Sequence, residues 1–444
     1  MASTGRKNMF GSVRTKRSLA AAALLTAGVM ATTSLPAQAF SPHSETGVTA
    51  TTIKLGITLP LTGAAAPGYN KVGQAMQAYF NYVNDNGGVY GRKVQLVIKD
   101  DGYLPTNAVA KTNELVLKDK VFATVGQLGT SNNLAIASGV NLGRRGIPSL
   151  FVNTGFSGFA DAKKFPTTYP LFPSYYMEAK IMASYIKENF AGKKLALIYQ
   201  DDDFGTDALA GFKAAGLNFD LKIPYASGSQ SAAVGAGWIG KLKAAGSEVT
   251  VMFGVTSATG PALGAAAQLG FKTQWILGSV GGDATTLKAL GVPAAVLTGA
   301  RGASFVPSPA DASDEYIKMF QDVNTKYNAS AVFDNNVLIG MNTAMMTVQA
   351  LRAAGKNPTR ASLMAGIAAK GSTFASAAFS PLGYSSSSHV GYSGYWFGTY
   401  NSSGAMLPEG GKYALYTTDS GAGDVVKSTY KRSAMPAKGL PNNS

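Results

Sequence analysis

Two series of short, apolar runs, each alternating with longer segments of helical period, constrain this chain more than any other feature. In the first series, residues 53–59 read as a strand, and a loop at 60–68 leads into a helix. On that helix Val72, Met76, Tyr79, Phe80 and Val83 share one face. Asn86-Gly87-Gly88 ends it, because glycine accepts the left-handed conformation that closes a helix. Strand 94–98, helix 106–118, strand 121–125, helix 132–145 and strand 149–152 follow. Continuously apolar strands separated by amphipathic helices predict a parallel sheet covered on both faces.

The second series begins after Tyr175-Tyr176. It runs helix 178–189, strand 195–199, helix 205–215, strand 221–224, helix 232–245, strand 249–253, helix 260–269 and strand 274–277. This predicts a second α/β domain, as the 444-residue length also does, since single cores stop growing near roughly 250–300 residues. Helices at 313–327, 335–354 and 359–369 have no strands between them, so the chain is expected to return to the first domain. From Asp419 onward the tail is polar and is expected to be weakly ordered.

The first residues read as a secretory leader. Arg6, Lys7, Arg14, Lys16 and Arg17 precede an apolar stretch from Leu19 to Met30, and Ala37-Gln38-Ala39 supplies a small-x-small cleavage signature. Cleavage is expected after Ala39, leaving a periplasmic product. No later stretch reaches the length of a membrane span, so no direct membrane insertion is expected. The chain contains no cysteine, which excludes disulfides, thiolate metal ligands, a thiol nucleophile and a lipidated N-terminal cysteine. The formal charge of +15 includes the five leader cations, and the remaining +10 is scattered without aromatic-interleaved basic runs, so no nucleic-acid partner is expected.

Against this background, several ordered fragments resemble a known family. They include Leu59-Pro60-Leu61-Thr62-Gly63, Asn86-Gly87-Gly88-Val89-Tyr90-Gly91-Arg92, Asp100-Asp101 with Pro105, and Gln200-Asp201-Asp202-Asp203-Phe204-Gly205. Gly270-Phe271-Lys272-Thr273-Gln274, Ser380-Pro381-Leu382-Gly383-Tyr384 and His389 complete the set. Together they are similar to the leucine/isoleucine/valine-binding type of periplasmic solute-binding proteins of ABC transporters. The resemblance implies an α/β type I periplasmic-binding-protein fold: two Rossmann-like lobes with parallel sheets, joined by a three-crossing hinge. It places one lobe at 52–172 plus 304–384, the other at 173–303 plus 385–416, and a C-terminal tail at 417–444.

The resemblance also implies a ligand site between the lobes. On the first lobe, Thr130 and Ser131 follow Gly129 in one loop and Asn153-Thr154-Gly155-Phe156 form the other, offering hydroxyls and free N–H groups to a carboxylate. Helix N-capping by Thr130 or Ser131 is the alternative role. Tyr69 is placed at the lip of the cleft. On the second lobe Phe204 stands where the family's amino-acid binders often carry tyrosine, and Thr256 and Val280 match other contact positions. Those binders place a carboxylate near Val280 to pair with the ligand's ammonium, whereas here the nearest acid is Asp283. Either Asp283 reaches the cleft or the ligand is a carboxylate, amide or aromatic acid without an ammonium, since an unpaired buried charge costs several kcal/mol. Some family members join the stretches matching Tyr103 and Gly129 by a disulfide, a role left to packing here.

Catalytic chemistry has little to draw on. The two histidines, His43 and His389, lie in an N-terminal stretch and a serine-rich turn, which disfavours a catalytic triad or histidine metal site. Asp201-Asp202-Asp203 reads as a solvated loop and helix start before a cation site. No phosphate-binding glycine loop is present, so no cofactor is expected. The expected function is capture of a small polar ligand for an ABC permease and its ATPase, by a monomer that is not an enzyme. Ligand sensing for a signalling receptor and a secreted hydrolase are the alternatives.

Overall fold

The computed structural model describes residues 45–418, 421 and 423–442. The basic leader, the site after Ala39, and His43 lie outside the described residues. Strands β1 (Thr52–Leu59), β2 (Lys93–Asp100), β3 (Ala123–Val125), β4 (Ser149–Val152) and β5 (Thr168–Pro170) form a parallel sheet in the order β2-β1-β3-β4-β5. The interior strand β1 is covered on both faces, which is why its run is almost continuously apolar. Gly56 makes room for the helix above it, since a Cβ there would come within 2.9 Å of the Leu115 side chain.

The second sheet contains β6 (Leu195–Gln200), β7 (Leu221–Tyr225), β8 (Val249–Phe253), β9 (Gln274–Leu277) and β10 (Arg301–Ser304), all parallel. After β10 the chain returns to the first lobe, where helices Glu315–Tyr327 and Asn335–Ala353 pack on helix Val72–Asp85. Gly340 permits the close crossing, because a Cβ there would stand 2.8 Å from the Ala75 Cβ. Helix Arg360–Lys370 packs beside Asn335–Ala353. A small antiparallel pair follows, β11 (Gly383–Tyr384) with β12 (His389–Val390). The chain then crosses again and adds β13 (Trp396–Tyr400) and β14 (Met406–Pro408) antiparallel to the β10 edge. The second sheet is therefore mixed, an outcome that a reading restricted to strand–helix alternation did not anticipate.

Three crossings run side by side, near 171–174, 305 and 391–395. The Tyr392 N–H donates to Leu171 O at 3.0 Å, and the Tyr395 hydroxyl donates to Pro173 O at 2.9 Å. Phe305 packs against Phe172, Tyr392 and Tyr395, with ring centroids 4.8, 5.8 and 6.0 Å away. The hinge is thus an aromatic cluster threaded by backbone bonds.

The tail departs from its expected weak order. β15 (Tyr416–Thr417) pairs with β16 (Val426–Lys427), and residues beyond β16 lie on the first lobe. Its anchors are single residues such as Arg432, Met435 and Leu440, which have no hydrophobic period for sequence analysis to detect.

Candidate functional site

Loops at the C-terminal ends of the parallel strands of both sheets face each other across the interlobe cleft. On the first lobe, Gly129 opens helix Thr130–Gly139 at φ +100, and no side chain caps that helix. Neither Thr130 nor Ser131 therefore serves its own helix. Thr130 Oγ1 instead lies 2.7 Å from Thr154 Oγ1, so the hydroxyls of the two sequence-marked loops meet. Ser131 Oγ donates across the cleft to Asp203 Oδ2 at 3.0 Å.

Tyr103 fills the place beside Gly129, where a Cβ would come within 2.8 Å of its ring. Tyr103 has φ +64, and Asp101 Oδ1 accepts its N–H at 2.8 Å. Burial pushes the Asp101 carboxyl up to about 6, against the pull of the Tyr103 N–H and the side chains of Thr58 and Asn132.

On the second lobe, Asp202 caps helix Asp203–Ala214 by accepting the Phe204 N–H at 3.0 Å. The acidic run is a helix start, and among the described residues no group of three or more His, Cys, Asp or Glu could hold a metal. The Phe204 ring meets Tyr175 edge-on at 4.6 Å and Phe253 at 5.2 Å. Thr256 opens helix Thr256–Gln268, four residues earlier than its apolar period suggested, with Pro261 inside. Its hydroxyl and N–H face the Tyr69 oxygen, and the Tyr69 hydroxyl donates to Val280 O at 2.9 Å. Burial holds that phenol well above its ordinary range.

Between these walls lies a cavity of about 20 Å3. Tyr69, Thr130, Asn153, Phe204 and Val280 line it, together with Tyr103, Leu128, Tyr175 and Val255. No residue of its lining carries a carboxylate, ammonium, guanidinium or imidazole. Thr154 backs Thr130, and Ser131 sits at the rim. Gly155 and Phe156 border a separate recess beside the hinge, with Phe172 and Ser174.

Asp283 does not reach the cavity. Its Oδ1 accepts the Thr286 N–H at 2.6 Å, capping helix Ala284–Ala289, and its Oδ2 accepts the Asn335 N–H of the first lobe at 3.0 Å. It borders a neighbouring recess of about 180 Å3 with Lys288, Ser308 and Phe333.

A second acid near this loop escaped the sequence reading. Glu178, on helix Tyr175–Asn189, is fully buried and accepts the Ser279 N–H at 2.6 Å and its hydroxyl at 2.9 Å. Burial pushes its carboxyl up to about 7, although both Ser279 bonds favour the ionised form. Its signal was an acid amid a nearly all-buried helix, but only the fold shows the loop it holds. His389 is buried against Tyr169 at 4.0 Å with Nδ1 on Thr168 O, and burial lowers its pKa.

Two sheets, three crossings and opposed sheet-end loops agree with the match of residues 52–405 to the model of the family described as periplasmic binding protein. The chain belongs to the periplasmic binding protein family. It is 27% identical over 279 residues to Leu/Ile/Val-binding protein homolog 3 of Brucella melitensis, covering 59% of this chain and 70% of that relative. Two further relatives, from Rhizobium johnstonii and Pseudomonas aeruginosa, match over 49% and 55% of their own length. A Thermus thermophilus branched-chain amino acid ABC transporter protein, solved with bound valine, superposes with TM-score 0.72 at 21% identity. That superposition covers 83% of this periplasmic binding protein and 97% of the Thermus chain. A fatty acid ABC transporter substrate-binding protein from Thermomonospora curvata gives 0.71 at 21% identity, covering 85% and 95%. Among the described residues no helix is long and apolar enough to cross a membrane.

Proposed function

We propose that this periplasmic binding protein captures a small carboxylic acid or amide lacking an ammonium group and delivers it to an ABC permease and its ATPase. The observation that carries this reading is the uncharged cavity lining, with the acids around it engaged elsewhere: Asp283 and Asp202 at helix starts, Asp203 with Ser131, and Glu178 on Ser279. The ligand's carboxylate or carbonyl takes the Thr130 and Thr154 hydroxyls, Asn153 and the start of helix Thr130–Gly139. Tyr69, Tyr103, Tyr175 and Phe204 cover its apolar part, while Ser131, Gly155, Phe156 and Thr256 flank the site.

A 20 Å3 cavity admits such a ligand only after the lobes part, so binding proceeds by hinge opening and closure. The moving bodies are residues 52–172 plus 304–384 and 173–303 plus 385–416. The protein acts in the periplasm after cleavage at Ala39, as a monomer and without turnover. Its structural relatives include a valine-bound branched-chain amino acid ABC transporter protein and a fatty acid ABC transporter substrate-binding protein, so the fold accommodates either class.

The test is a thermal-shift panel of aliphatic and aromatic acids, amides and amino acids, followed by calorimetry. A ligand at 100 times its Kd adds about 2.7 kcal/mol of stability. Stabilisation by acids or amides alone supports the proposal. Stabilisation by amino acids alone overturns its ligand class, and stabilisation by none overturns the capture function.

A further inference from the structure

The family match ends at residue 405, yet the chain continues and makes specific contacts with both lobes. On the second lobe, Lys180 of helix Tyr175–Asn189 donates to Gly421 O at 3.1 Å and also to Gly423 O. Gly421 packs on the start of that helix, where a Cβ would stand 3.2 Å from the Tyr176 ring. β15 is bonded to the third hinge crossing through Tyr395 N–H to Tyr416 O at 2.9 Å and Tyr416 N–H to Tyr395 O at 2.8 Å.

Only a few residues further, the same segment is fixed to the first lobe. Arg432 donates to Asp314 Oδ2 at 2.6 Å and Ala377 O at 2.9 Å. Its guanidinium lies 4.6 Å from the Tyr316 ring centroid and 4.9 Å from that of Phe379. Asp314 is itself the cap of helix Glu315–Tyr327, so Arg432 joins the tail to a rigid element. Tyr79 and Tyr82 donate to Gly439 O and Lys438 O, each at 2.6 Å. A Cβ at Gly439 would come within 2.6 Å of the Met319 side chain.

We infer that residues 413–418, 421 and 423–442 form a strap across the hinge, a fourth connection that restrains how far and in which direction the lobes part. Rotation of one lobe changes the separation between the Lys180 and Arg432 anchors. With only residues 424–431 between them, that change bends β15–β16 or breaks an anchor. Lys180 and Asp314 are buried, Arg432 is half-buried, and both anchors are charge-assisted, so each resists release more than an exposed ion pair would.

The natural absence of cysteine makes the test direct. Exposed Lys118 and Lys243 lie on opposite lobes, and K118C with K243C provides a unique pair for spin labels. Electron–electron distance measurements then compare the otherwise unaltered full chain, a chain ending at Thr418, and full-length Arg432→Ala. The strap predicts a broader distribution reaching longer separations on truncation, with Arg432→Ala between the two. An unchanged distribution in Arg432→Ala, or a truncated chain that only melts earlier, overturns the inference and leaves the tail a clasp of the first lobe. Because the readout needs no ligand, it stands apart from the ligand-class test.

Discussion

The two walls of the cleft differ in where their polar groups are directed. On the first lobe, the hydroxyls of Thr130 and Thr154 bond each other at the cavity edge, and the helix behind Gly129 has no side-chain cap. On the second lobe, the polar groups of the loop at 278–283 are already taken. Ser279 is held by Glu178, Val280 O by Tyr69, Gly282 O by Tyr400, and Asp283 caps its helix. One wall offers hydroxyls and an uncapped helix start, while the lining of the other is aromatic and aliphatic. Equivalent positions on two similar sheets thus acquire different chemistry from what lies behind them.

The most severe test of that asymmetry places a charge on the apolar wall. Val280→Glu should weaken binding of an acid by 100-fold or more, because a buried unpaired carboxylate beside a carboxylate ligand costs several kcal/mol. Tighter binding of an amino acid by that variant, measured calorimetrically, would sharpen the comparison by converting one ligand class into the other.

The hidden support of the second wall is tested by pH. Glu178 is raised from an ordinary 4.5 to about 7, so the folded state binds its proton more tightly than the unfolded chain. This contribution to stability is complete below about pH 4.5 and is lost as pH rises through about 7. Asp101, raised to about 6, acts in the same direction at lower pH. Glu178→Gln should remove the fall between about pH 4.5 and 7 and stabilise the protein at pH 8 by about 3 kcal/mol, read from denaturant unfolding. An unchanged pH slope would show that Glu178 is ionised throughout and that the loop is held differently.

Removing the polar wall comes next. Thr130→Val combined with Thr154→Val should cost about 2 kcal/mol of ligand binding, roughly 30-fold, while preserving shape. Equal affinity would move the anion site elsewhere. The smallest expected effect belongs to Asp283→Ala, which should lower stability by about 1 kcal/mol through loss of its cap and leave acid affinity within about threefold. Collapse of ligand affinity in that variant would make Asp283 an ammonium partner and break the comparison.

Much of the fold was legible in the chain. Apolar runs such as 53–59 and 249–253 are buried on both faces, and amphipathic helices such as Val72–Asp85 mark a parallel sheet directly. The antiparallel strands β13 and β14 were not legible, because short edge strands late in the chain carry no alternation with helices. Within the site, Tyr69, Thr130, Asn153, Phe204 and Val280 were marked and the structure brings them together. Tyr175 and Leu128 were not marked, since nothing local distinguishes a cleft aromatic or leucine from a core one.

Local order and hydrophobic period were therefore determined by sequence alone: two α/β series, a return to the first, and loops rich in hydroxyls at their sheet ends. These properties depend on neighbours within one or two turns of chain. What Asp283, Glu178 and Arg432 do was decided only by the tertiary structure. An ionisable group's role depends on which distant donor meets it and how much water is excluded. Asn335 is 52 residues from Asp283 and Ser279 is 101 from Glu178, separations that no local pattern encodes.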